Sequence, residues 1–69
     1  MTYLVIYEKT TNGYSAYVPD LNGCIATGET KEETAHNIKE AISFHIEGMQ
    51  EEGLTLQDPV TEYELMEVA

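Results

Sequence analysis

The sequence predicts an α+β domain in the order β-β-β-α-β: an antiparallel three-stranded meander, one long helix on one face of it, and a fourth C-terminal strand. Three features carry that prediction. Short aromatic and β-branched runs alternate with turn signals, Thr30 and Glu33 have the spacing of a capping box, and apolar residues then recur at three- and four-residue intervals.

Tyr3-Leu4-Val5-Ile6-Tyr7 reads as the first strand, because its side chains suit a pleated, half-buried surface. Asn12-Gly13 comes next, a strong hairpin signal since both residues tolerate positive φ. Tyr14 to Val18 returns as the second strand. In the next segment, Val18-Pro19-Asp20-Leu21-Asn22-Gly23-Cys24-Ile25, Pro19 interrupts an apolar run, Asp20 and Asn22 suit turn positions, and Gly23 permits a backbone angle other residues avoid. Cys24 to Thr27 is the short third strand.

From Lys31 to about Glu52, Ala35, Ile38, Ala41, Ile42, Phe44, His45, Ile46 and Met49 mark an amphipathic helix. At about 1.5 Å per residue it runs roughly 33 Å, enough to cross a small sheet. Glu29, Glu32 and Glu33 lie near its positive N-terminal end, and Gly53 suits a left-handed C-terminal cap. Leu54 to Pro59 forms a connector, and Val60 to Val68 is expected to be the fourth strand.

Both faces of the first strand are apolar, with Tyr3, Val5 and Tyr7 on one and Leu4 and Ile6 on the other. A single helix covers one face, and soluble monomers seldom leave the other bare. The alternation does not fix which face lies beneath the helix; self-association in a homo-oligomer, a dimer or tetramer, is expected, with Tyr3, Val5 and Tyr7 assigned to the subunit interface. Glu62, Glu64 and Glu67 blunt the last strand if it lies at an edge.

A chain of 69 residues makes one domain, expected over residues 1–69. Folded chains this short bury only about 60 % of their unfolded surface, so the core is small. No apolar run is long enough to span a bilayer and no basic signal-peptide start is present, which predicts a cytoplasmic protein without membrane contact. Thirteen acids face only Lys9, Lys31 and Lys39, with a formal net charge of −10. Direct nucleic-acid binding needs cations against phosphate, so this balance argues against it and in favour of a basic partner surface.

Nothing in the chain assembles a catalytic centre or a cofactor or metal site. Glu8, Asp20, Glu62, Glu64 and Glu67 lie on or beside expected strands, and two-metal phosphodiester hydrolysis needs several carboxylates converging from different elements on ions about 4 Å apart. His36 and His45 lie nine residues apart on the helix and point in different directions. Cys24 has no partner for an internal disulfide, no zinc-like spacing and no base beside it in sequence.

The stretch Gly13 to Ala35, continuing through Asn37-Ile38-Lys39-Glu40-Ala41-Ile42, resembles the signature of HicB-like antitoxins in the order and spacing of turn, small residues and helix start. The resemblance covers most of the chain. It implies a reduced ribonuclease H-like fold without nuclease activity, acting as the antitoxin of a type II toxin–antitoxin pair. The implied partner is a small basic HicA-like toxin that cleaves mRNA, with a double-stranded-RNA-binding-domain-like fold and a catalytic histidine. Two departures are visible. Asn22 stands where a second proline is common, a mild change in a turn. Many relatives also continue into a C-terminal DNA-binding domain, whereas this chain stops at Ala69, so operator binding is not expected of it.

Inhibition would then be steric and electrostatic, with complementary charge speeding the encounter and selecting the partner. Asp20, Leu21 and Asn22 in the turn are the expected contacts, with Tyr14 and Tyr17 as amphipathic anchors. The alternative is a solitary oligomeric binding module of the same fold without a toxin partner.

Overall fold

A computed structural model describes all 69 residues. Strands β1 (Ile6–Lys9), β2 (Tyr14–Tyr17) and β3 (Ile25–Gly28) lead into helix α1 (Lys31–Glu51). The sheet order is β1-β2-β3 and both pairings are antiparallel, so the expected meander forms. Its register aligns Tyr7 with Ala16 and Ala26, and Lys9 with Tyr14 and Gly28, on the face that meets α1. Ile6, Tyr17 and Ile25 form a row on the opposite face, with Glu8, Ser15 and Thr27 forming the next. The helix lies over β3 and β2.

This register settles which side of β1 is covered. Tyr3, Val5 and Tyr7, the residues assigned to a subunit interface, lie on the covered side and pack half-buried against the core of their own protomer. Alternation then puts Leu4 and Ile6 on the open side. The physical reason is the pairing of Tyr7 with Ala16, whose fully buried methyl faces the helix.

The β1–β2 hairpin forms, but not through a two-residue Asn-Gly turn. Lys9 pairs with Tyr14, the Thr10 N–H donates to the Gly13 carbonyl at 2.9 Å, and neither Asn12 nor Gly13 has a positive φ. Gly13 serves a different need. A Cβ there would collide with the Gly28 carbonyl oxygen and lie 2.9 Å from the Glu29 Cα. Gly28 is equally confined, since its Cβ would sit 2.6 Å from Thr34 Oγ1. The hairpin loop, the end of β3 and the first turn of α1 thus approach at backbone distance.

Thr30 caps α1 in an extended conformation, and its hydroxyl accepts from the Glu33 N–H at 3.0 Å. The reciprocal half of the expected capping box, from Glu33 back to Thr30, does not form. Thr34 is fully buried, and its hydroxyl donates to the Thr30 carbonyl at 2.7 Å, which satisfies it. At the other end Gly53, with φ of 74°, donates to the Gln50 carbonyl, and the Leu54 N–H donates to the Met49 carbonyl at 2.9 Å. This is the Schellman arrangement.

The core consists of Ala16, Val18, Leu21, Cys24 and Ile38, with Ala41, Ile42 and Met49 packed against it from the helix. Only six of 69 residues are buried, so the helix and sheet together enclose little apolar volume. Phe44, read from sequence as part of the apolar stripe, is 79 % exposed. No helix is long and apolar enough to cross a membrane.

The expected fourth strand is absent. Residues 52–69 carry no regular secondary structure beyond the turn that ends α1, and 61–69 are exposed throughout. A strand requires a neighbour to accept its backbone hydrogen bonds, and Val60 to Val68 pairs with no strand of its own protomer.

The glycine geometry makes a paired prediction. Gly28→Ala should lower stability by about 1–3 kcal/mol through overpacking. Gly48→Ala, in a helix interior with nothing within 4 Å of the added Cβ, should raise it by up to about 1 kcal/mol. Urea unfolding monitored at the helical circular dichroism band reads both.

Candidate functional site

The segment from Val18 to Cys24 is two successive turns. The Leu21 N–H donates to the Val18 carbonyl and the Cys24 N–H to the Leu21 carbonyl, each at 3.1 Å, and the Val18 N–H closes the unit on the Cys24 carbonyl at 3.1 Å. Pro19 occupies the second position of the first turn, where its fixed φ costs nothing, and Gly23, at φ of 80°, occupies the third position of the second. Every third residue, Val18, Leu21 and Cys24, consequently points into the core.

This periodicity divides the residues expected to meet a partner. Leu21 is only 6 % exposed and belongs to the core rather than to the surface. Tyr14 is half-buried on the helix side of the sheet, with Lys9 Nζ 5.8 Å from its ring centre. Tyr17 lies on the opposite face, because strand side chains alternate. Asn22 is exposed at the tip of the turn.

Asp20 holds the chain's own C-terminal segment. Its Oδ1 accepts from the Val60 N–H at 3.1 Å, the Thr61 N–H at 3.3 Å and the Thr61 hydroxyl at 3.0 Å. The turn acid thus works as a backbone anchor across 40 residues of sequence. Sequence reasoning placed it correctly in a turn and missed the acceptor role, since no local pattern links positions so far apart.

The exposed apolar surface runs through residues the sequence did not single out. Ile25, 64 % exposed, borders a shallow groove shared with Tyr17, Pro19 and Asn22. It also borders a second groove against α1 that includes Phe44, Met49 and Leu54. Ile25 therefore joins the open sheet face to the C-terminal half of the helix. Strict alternation from Ala26 could have flagged it, because β3 must turn one of two neighbouring apolar residues outward.

Electrostatically the surface is acidic and almost unneutralised. The sole ion pair is His36 Nε2 with Glu40 Oε1 at 3.3 Å, formed when the histidine is protonated. Lysines meet aromatic rings rather than carboxylates: Lys31 Nζ is 5.1 Å from the Tyr7 ring centre and Lys9 lies over Tyr14. Burial pushes the Cys24 thiol pKa up, which keeps it protonated and poorly nucleophilic. No three His, Cys, Asp or Glu side chains converge on a common point suited to a metal ion. The site offers surface and charge for docking.

Known proteins resemble this chain in both sequence and fold. Residues 3–68 match the family model described as "HicB_like antitoxin of bacterial toxin-antitoxin system". An uncharacterised 14.9 kDa protein from the rep-hol intergenic region of Haemophilus phage HP1 is 48% identical over 65 residues, covering 91% of this chain and 49% of the phage protein. A UPF0150 protein of Helicobacter pylori is 43% identical over 49 residues, 71% of this chain and 68% of that one. This chain therefore spans about half the length of the phage relative. Among solved structures, the HicA3 and HicB3 toxin-antitoxin complex contains a chain with a TM-score of 0.72 and 35% identity, the match covering 87% of this chain and 70% of that one. The crystal structure of antitoxin HicB3 matches with a TM-score of 0.73 and 35% identity, over 87% of this chain and 44% of the other.

Two measurements test the placement of the turn residues. Leu21→Ala should cost about 2–5 kcal/mol of stability, as a buried leucine does, while Asn22→Ala stays within about 0.5 kcal/mol of wild type. Asp20→Ala should leave helicity intact and accelerate hydrogen exchange at Val60 and Thr61, whose amides lose their acceptor.

Proposed function

This chain belongs to the HicB-like antitoxin family, and from that membership we propose that it inhibits a small basic HicA-like mRNA-cleaving toxin by covering the toxin's RNA-binding surface. The family and fold are those of a non-enzymatic regulatory protein. The observation that carries the reading is the acidic surface without lysine countercharge, on a fold whose structural neighbour includes an antitoxin in a HicA3–HicB3 complex.

The contact surface we assign centres on Tyr17 and Ile25, flanked by Asn22 at the turn and Phe44 on the helix. Aromatic and aliphatic anchors surrounded by charge suit a protein interface, since desolvated apolar residues supply most of the affinity and rim charges guide the approach. We read the domain as a reduced ribonuclease H-like fold in which docking has replaced hydrolysis. It works in the cytoplasm as a homo-oligomer, whose association would cover apolar surface that a single protomer leaves open.

The test is toxin binding and RNA cleavage inhibition with the co-purified basic partner. Ile25→Asp combined with Tyr17→Asp should weaken toxin binding by about tenfold or more, with helicity unchanged because both side chains are exposed. Raising salt should slow association with the wild-type protein, as screening removes the attraction between opposite charges. Inhibition equal to wild type in the double variant places the interface elsewhere. Purification from the native host without a basic partner, under both growth and stress, favours the solitary binding module.

A further inference from the structure

We propose that the segment Glu62–Val68 forms its missing strand on the β1 edge of a second copy of this chain, by reciprocal exchange between two protomers. This deepens the self-association proposed above and rests on it.

Tyr63, Leu65, Met66 and Val68 stand exposed, Leu65 at 91 %, in a segment rich in β-forming residues. Asp20 fixes the chain at Val60 and Thr61, and no hydrogen bond holds the residues beyond Thr61. The protein is correspondingly drawn out. Its radius of gyration is 13.6 Å and its long axis 46 Å, whereas a compact chain of this length is expected near about 11 Å.

An acceptor for such a strand is present on every copy. The Thr10 N–H points toward β2, where it donates to Gly13, and antiparallel ladders alternate. Ile6 and Glu8 therefore bond to β2, and the backbone groups of Tyr7 and Lys9 face outward, with Val5 continuing that edge. The opposite edge is less open, because the Asn37 side-chain amide donates to the Thr27 carbonyl at 2.8 Å and takes one of its outward acceptors. The β1 edge also carries Lys9, a cation to face the segment's glutamates.

Exchange between identical chains gives each copy a strand and each edge a partner, so the assembly closes as a two-fold dimer. At roughly 100–150 Å² for each exposed large side chain, the two exchanged segments bury on the order of 1,000 Å², about the threshold for a specific interface, to which the backbone pairing adds.

Sedimentation of the full chain across a dilution series tests the exchange, with Leu65→Pro as the variant. Proline removes a backbone donor from the segment and touches nothing in the protomer, where Leu65 is exposed. The expected result is a wild-type dimer whose dissociation constant rises about tenfold or more in the variant, with unchanged helicity and melting. Hydrogen exchange should show protection at Tyr7 and Lys9 and across residues 62–68 in the dimer, lost on dilution to monomer. A dimer unaffected by Leu65→Pro overturns the exchange and leaves self-association through the open sheet face standing. Protection that persists in a dilute monomer overturns it in favour of pairing within one chain. A wild-type protein that is monomeric throughout the series overturns both.

Discussion

Helix α1 rests on the sheet through an unusually close contact at its first turn, where Gly28 passes beneath Thr34 with no room for a Cβ and Gly13 passes beneath the Gly28 carbonyl with none either. The remaining packing is built on this approach. It seats Thr34, fully buried and bonded back to the Thr30 carbonyl, at the head of the helix. One turn on, Ile38 enters the core formed by Ala16, Val18, Leu21 and Cys24. Small residues under the helix N-terminus therefore set its height above the sheet, and the paired turns from Val18 to Cys24 fill the space farther along.

The same economy leaves the protomer under-enclosed. A three-stranded sheet with one helix has a single interior, and this one buries six residues. Ile6, Tyr17 and Ile25 form an apolar row with no layer over it, Phe44 projects from the helix, and the C-terminal segment leaves the body beyond Thr61, where Asp20 holds it. These are the apolar surfaces the protomer leaves uncovered.

Charge adds direction to that surface. With thirteen acids and three lysines, two of which sit over tyrosine rings, carboxylates remain free to set the external field. Such a field favours the approach of positively charged surfaces and repels nucleic acid. Like charge between copies works against assembly, which makes backbone pairing and apolar burial the forces that any oligomer must rely on.

Elements with local signals are legible in the sequence itself. The hairpin, the double turn around Pro19 and Gly23, the Thr30 cap, the helix with its Gly53 stop and the family resemblance can all be read within short windows, because propensity, capping and turn chemistry act between near neighbours. Even here the local reason could differ from the one inferred: Gly13 is needed for its proximity to Gly28, and not for a positive φ. The features that had to wait for the folded chain depend on contacts distant in sequence. Both faces of β1 are apolar, so its pattern alone could not choose the side that packs inward; the pairing of Tyr7 with Ala16 did. Leu21 reads as a turn residue until the three-residue repeat points it into the core, and Asp20 becomes an anchor only when Val60 and Thr61 are brought to it. Val60 to Val68 has the composition of a strand, yet composition supplies no neighbour, and a strand exists only where another backbone meets it.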